Sequence, residues 1–139
     1  MLRIQQGNRV FNYRVAGIAI HENRVLLHQL QGDDSWSLPE EINAPVTIRR
    51  LLPVVENFFE LTYLIFHEVG MYFVMHVPLH IAAHTQRFIG IEGDSLLLTF
   101  EWVRLDSLSQ RIIKPDFLPA VLTGNLDGIQ HLVHSELNR

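Results

Sequence analysis

The chain reads as an α+β domain built on a mixed β-sheet, and three observations carry that reading. β-forming runs recur from residue 11 to residue 103, separated by short polar or glycine-containing breaks. Helix signals gather instead after residue 105, where Asp106 and Pro115 each suit the start of a short helix. The 139 residues are 47% hydrophobic and 19% charged, enough apolar content for residues 1–139 to bury one core as a single domain.

Taken in order, Phe11–Ile20 (FNYRVAGIAI) is a strand, with Gly17 marking a bulge or a close approach. His21–Arg24 is a polar break, and Val25–Leu30 resumes the strand, so the pair predicts a hairpin. Gln31–Ser35 is a loop. Val46–Leu51 and Val54–Phe59 are two extended runs parted by Pro53, which lacks the N–H that an inner strand would donate. The same proline and the β-branched residues count against a helix over 46–60. His67–Val77 is the longest β-type run and predicts a central strand. His80–Gly93 reads as a loop or edge, and Leu96–Val103 as a buried strand. Asp106 is expected to cap a short helix through Gln110. Pro115 is expected to open a second helix through Leu122, ended by Thr123-Gly124. Gly128–Glu136 suits a last strand. No repeat, low-complexity tract or linker interrupts the chain.

Composition excludes several functions. A net charge of −4 gives no footprint for nucleic acid, which calls for clustered Lys and Arg. The absence of cysteine removes disulfides, thiolate metal sites and cysteine nucleophiles together. No run has the length of a signal-peptide core or of a membrane span. A soluble, cytoplasmic protein is the expectation.

Some apparent motifs fail on geometry. His67-Glu68-Val69-Gly70-Met71 begins like a zinc-protease helix, but Met71 stands where the second histidine is needed and the segment reads as a strand. His76, His80 and His84 are spaced by four across Pro78, which breaks any helix that would align them. His131 and His134 have opposite parity on one strand. Asp33-Asp34 is most simply a solvated turn. Glu40-Glu41, following Trp36-Ser37-Leu38-Pro39, stays open between a cation site, a helix-starting acidic pair and a remnant of something longer.

Several segments together resemble the Nudix (MutT-like) hydrolase family over most of the chain. Val15–Ile20 with Val25–Leu27 resembles its opening hairpin. Trp36-Ser37-Leu38-Pro39 resembles the W-x-L-P that leads into its catalytic segment. Arg50–Leu52 and Val55–Phe59 resemble the strands after the catalytic helix. Phe66–Phe73 resembles an "HE-x-G-aromatic" strand, and Phe100–Leu108 with Lys114–Leu118 resembles its closing "WVPLDEL…P-x-FL". The resemblance implies an α/β/α sandwich acting on nucleoside diphosphates linked to another moiety. It also implies Mg²⁺ or Mn²⁺ held by the glutamates of the Nudix box, G-x5-E-x7-R-E-U-x-E-E-x-G-U.

Here that box is truncated. Glu40-Glu41-Ile42-Asn43-Ala44 matches its final E-E-x-G-U, so roughly nineteen residues are missing between Pro39 and Glu40, including most of the helix. By resemblance, Glu40 and Glu41 are remnants of the metal-binding set, joined by Glu68 or Glu101 if the fold brings them close. The implied function is a pyrophosphohydrolase-like domain with a degenerate active site, impaired or inactive. The alternative is a non-catalytic module binding a nucleotide or a protein. A third reading is a chain that keeps the fold without a selected activity. Loss of the helix would also bare a strip of the sheet. The apolar Leu61–Ile65, where a polar turn is expected, adds to that surface, and the expectation is a homodimer burying the uncovered face.

Overall fold

The computed structural model describes residues 1–39, 44–92, 96–124 and 131–137. In chain order the strands and helices are β1 (Leu2–Gln6), β2 (Arg9–His21), β3 (Arg24–Leu30), β4 (Ser35–Trp36), β5 (Thr47–Leu61), β6 (Leu64–His76), α1 (Leu79–Ala82), β7 (Phe88–Glu92) and β8 (Leu96–Arg104). A 3-10 turn (Leu105–Gln110), β9 (Ile112–Ile113), α2 (Leu118–Thr123) and β10 (His131–Ser135) follow. One mixed sheet runs β10-β5-β6-β2-β3-β8-β7, with β1 beside β2. The β10·β5 and β2·β6 pairs are parallel and the other pairs of that sheet are antiparallel.

The strand pattern follows the expected one closely. The β2–β3 hairpin turns through Glu22 and Asn23, both at positive φ, and β6 lies inside the sheet between β5 and β2. The two runs around Pro53 form one long strand, β5. Register shifts between Ile48 and Arg50 and between Leu51 and Val54 take up the proline there. Gly17 marks a close approach and no bulge, because β2 pairs with β6 without a break while a Cβ at Gly17 would come 2.5 Å from Met75 Sδ.

Three expectations need correction. Helix is not confined to the C-terminal end: α1 forms at Leu79–Ala82, where the Trp102 indole N–H donates to the Ile81 carbonyl at 2.9 Å and pins it to the sheet. The 80–93 stretch, expected as a loop or edge, does hold the edge strand β7. Asp106 makes no cap bond and instead pairs with Arg104 at 2.6 Å. The second helix begins at Leu118 and not at Pro115, with Pro119 in its first turn. The strand β1 gave no signal that was read from the sequence.

Side-chain parity splits the core between the two faces. On the front, Ala16, Ile18, Val25, Leu27, Val55, Tyr72 and Val103 pack under Trp36, Leu38, Leu108, Ile113 and the α2 residues Leu118 and Leu122. On the back, Ala19, Leu26, Met75, Leu98, Phe100 and Trp102 pack under Ile81 and Ala82 of α1. The Leu61–Leu64 segment is a two-residue hairpin turn with Thr62 and Tyr63 at φ 51° and 66° and Tyr63 87% exposed. No helix among the described residues is long and apolar enough to cross a membrane.

Candidate functional site

The W-S-L-P segment is held in place from two sides. Ser37 exchanges backbone hydrogen bonds of 2.9 Å with His28 of β3. β4 lies parallel to β9, and the Lys114 N–H donates to the Trp36 carbonyl at 2.8 Å. This brings Ser37 and Leu38 beside Lys114, Pro115 and Asp116, and together they form one wall of a cleft of about 330 Å³. Glu136 forms another wall, fixed by its N–H bond to the Phe58 carbonyl just past β10. The floor comes from β2, β5 and β6 through Arg14, Asn57, Phe59, Glu68 and Tyr72.

Register aligns the floor into a row, with Asn57 opposite Glu68 and Glu68 opposite Asn12. These three polar residues are only 5%, 7% and 5% exposed. Their parity is that of the front core, between the row Phe59–Phe66–Val10 and the row Val55–Gly70–Arg14. Hydrogen bonding along the row is thin. The Asn12 Nδ2–H reaches Glu68 Oε2 at 3.4 Å, and Arg14 Nη1 stands 3.7 Å from Glu68 Oε1. Neither Asn57 Oδ1 nor Asn12 Oδ1 has a partner among the described residues. Such atoms cost stability unless something else satisfies them.

Tyr72 leans over Gly70, where a Cβ would come 2.8 Å from its ring, so only glycine leaves room for the ring. Burial pushes the Tyr72 hydroxyl up to about 12, with Arg14 acting against the rise and Glu68 adding to it. The phenol is therefore protonated at neutral pH and available as a donor. Lys114 and Asp116 pair at 2.6 Å on the exposed wall.

Of the four carboxylates implied by the resemblance, Glu40 and Glu41 lie outside the described residues. Glu68 lines the cleft. Glu101 does not join it: β2 and β3 stand between β6 and β8, which at the usual strand spacing separates the two by about 14 Å across the sheet. One hard cation, which holds its oxygens at ~2–2.6 Å, cannot take both. Glu101 accepts from Arg111 at 2.6 and 2.9 Å and from Arg87 at 2.8 Å. Both guanidiniums also lie over the Trp36 ring, 4.9 and 5.4 Å from its centroid.

The histidines are dispersed as their spacing suggests. His67 and Glu68 project from opposite faces of β6. On the back face His67 stacks on Phe58 at 4.4 Å, and Glu56 sits between His67 and His131 at 3.0 and 2.9 Å. Those two hydrogen bonds hold the Glu56 carboxyl below its ordinary range. His134 faces the front against Phe117. His76 ends β6, His80 lies in α1, and His84 stacks on Phe88 at 4.1 Å. Among the described residues no three His, Asp or Glu side chains are placed to share a metal ion.

Arg14, Asn57, Tyr72, Lys114, Asp116 and Glu136 line the cleft although no motif in the sequence singled them out. A signal existed for the floor. Asn12, Asn57 and Glu68 each fall at the apolar parity of their strands, between Val10 and Ala16, Val55 and Phe59, and Phe66 and Tyr72.

The sheet order, the closing α2 and the placement of the W-S-L-P segment define a Nudix-like α+β fold. Among solved structures, the chain is similar to a crystal structure of a UDP-X diphosphatase, with a TM-score of 0.52 and 17% sequence identity. The match covers 85% of this chain and spans 64% of the other. No family model and no curated protein matches the sequence.

Proposed function

We propose that this chain is a Nudix-like module that binds a nucleoside diphosphate linked to another moiety, with hydrolysis impaired or lost. The observation that carries the reading is the cleft itself. It combines the cations Arg14 and Lys114 with a buried polar floor, and it opens beside Leu38, two residues before Glu40. Impairment is supported by chain length. Only nine residues (38–46) connect Ser37 to β5, too few for the loop, helix and loop of the implied box. A divalent ion would rest on Glu40 and Glu41. When bound, such an ion polarises a phosphoanhydride. Arg14 and Lys114 would orient the phosphates, and Tyr72 would donate a hydrogen bond from its protonated hydroxyl.

A panel of ADP-ribose and nucleoside triphosphates with Mg²⁺ and Mn²⁺ tests this. Ligand-induced thermal stabilisation with little or no phosphate release is expected, and Glu40→Gln with Glu41→Gln should remove any residual release. Rapid turnover that survives the double substitution would overturn the impairment, and absence of stabilisation would overturn binding.

A homodimer is the second reading, favoured by the back face of the sheet. From β10 to β2 it presents Val133 (63% exposed), Phe58, Val69, Met71, Phe11, Tyr13 and Val15 (57% exposed), beyond the reach of α1. Light scattering at micromolar concentration should give twice the chain mass, and Val15→Asp with Val133→Asp should give the monomer. A wild-type monomer would refute it.

A further inference from the structure

A charged cluster interrupts the apolar back face, on the side of the sheet away from the cleft. Glu56 stands between Val133 and Val69 in one row of that face, and His67 between Phe58 and Phe11 in the next. His67 Nε2 and His131 Nε2 approach different oxygens of the Glu56 carboxylate, at 3.0 and 2.9 Å. An ionised carboxylate only accepts, so each ring presents an Nε2–H to it. The His67 ring stacks on Phe58 at 4.4 Å and meets Phe11 edge to face at 5.4 Å. A surface that closes over Val133, Phe58, Val69 and Phe11 therefore covers the cluster as well. In the single chain its side chains are open to water, 30% exposed at Glu56, 40% at His67 and 57% at His131.

We infer that Glu56, His67 and His131 make association of this face with a second copy of the chain depend on pH, strongest where the three side chains sum to zero charge, which rests on the homodimer reading of the same face. A two-fold contact sets like surfaces against each other, so any net charge meets its own image. Taking that charge out of water adds a further cost. One carboxylate with one imidazolium and one neutral imidazole sums to zero and can be covered. A second imidazolium leaves each copy at +1, and loss of the first leaves it at −1. Histidine is the side chain that changes charge between about pH 5 and 8. Hydrogen bonds from His67 and His131 hold the Glu56 carboxyl below its ordinary range, so it stays ionised across that interval. The other charges on this face offset each other: Arg9 of β2 and Glu60 of β5 flank Ile65 in one row. Tyr13 of β2 donates to Met71 Sδ at 2.8 Å. Among the described residues, β1 and the rest of β6 and β10 place no titratable side chain on this side. A face that is apolar and neutral in sum suits a copy of itself better than it suits a charged partner.

Sedimentation velocity of the full chain at micromolar concentration, from about pH 5 to 8.5, tests this. Circular dichroism at each pH separates dissociation from unfolding. The wild type should dimerise most tightly near neutral pH and at least about tenfold more weakly at the acid end, where like charges stand face to face. His131→Gln leaves one histidine against one carboxylate, so its dimer should survive at the acid end and weaken above neutral pH. Glu56→Gln leaves no anion in the cluster. Its dimer should be tightest at the alkaline end and fall apart in acid more steeply than the wild type. A wild-type dimer whose affinity does not change with pH, or an acid loss that His131→Gln retains in full, would overturn the pH dependence and leave the homodimer standing. A wild-type monomer at every pH would overturn the homodimer, and the pH dependence with it.

Discussion

Glu101 and Glu68 project from the same front face of one sheet into surroundings of opposite kind. Glu101 is bracketed by two arginines that donate at 2.6–2.9 Å, with Trp36 beneath them. Glu68 is more buried, yet its contacts are 3.4 and 3.7 Å long, and the oxygens of its two asparagine neighbours have no partner among the described residues. The first carboxylate completes its own network and ties β8 to the segment after the 3-10 turn. The second leaves its network open to the cleft. Saturated polar groups tie elements together, whereas buried unsatisfied ones cost stability.

The sharpest way to break this contrast is to remove the saturated partner. Glu101→Ala strands two guanidiniums and should cost about 2 kcal/mol in chemical denaturation, less than a fully buried pair because water still reaches the site. Next in size is Gly70→Ala, which drives a methyl into the buried Tyr72 ring and should cost about 1–2 kcal/mol by the same measurement. Glu68→Gln, at the more buried of the two carboxylates, should change stability by less than about 1 kcal/mol, because the contacts it loses are long. A loss as large as that of Glu101→Ala would erase the distinction.

Acid sharpens the same comparison with the smallest effect. Burial raises the Glu101 pKa, but the hydrogen bonds from Arg111 and Arg87 outweigh it and hold the folded value below the ordinary 4.5. The unfolded chain therefore takes up the proton first. The Glu101 contribution is present above pH 4.5 and is lost as pH falls below it toward the folded value. Wild-type stability should drop more steeply over that interval than that of Glu101→Ala, and equal slopes would place the acid sensitivity elsewhere.

The strands were legible because β-branched and aromatic runs alternate with polar breaks, and most of the front core follows from their parity. The site was legible only at its entrance, through Trp36–Pro39 and Glu68. Pairing Glu68 with Glu101 failed because strand order in a mixed sheet does not follow chain order: β2 and β3 intervene. α1 was missed because four residues carry almost no helical periodicity, and it is fixed by the Trp102 bond from a strand twenty residues on.

By itself, then, the sequence determined the α+β class, the β2–β3 hairpin, the extended character of 67–76 and the short connection after Pro39. Each of these is written in neighbouring residues, whose backbone preferences act locally. The tertiary structure decided which carboxylate is neutralised by arginines and which is left to a cleft. Asn12, Asn57 and Glu68 are far apart in the chain and meet only through the register of β5, β6 and β2. Burial and hydrogen-bond satisfaction are properties of that meeting and not of any one segment.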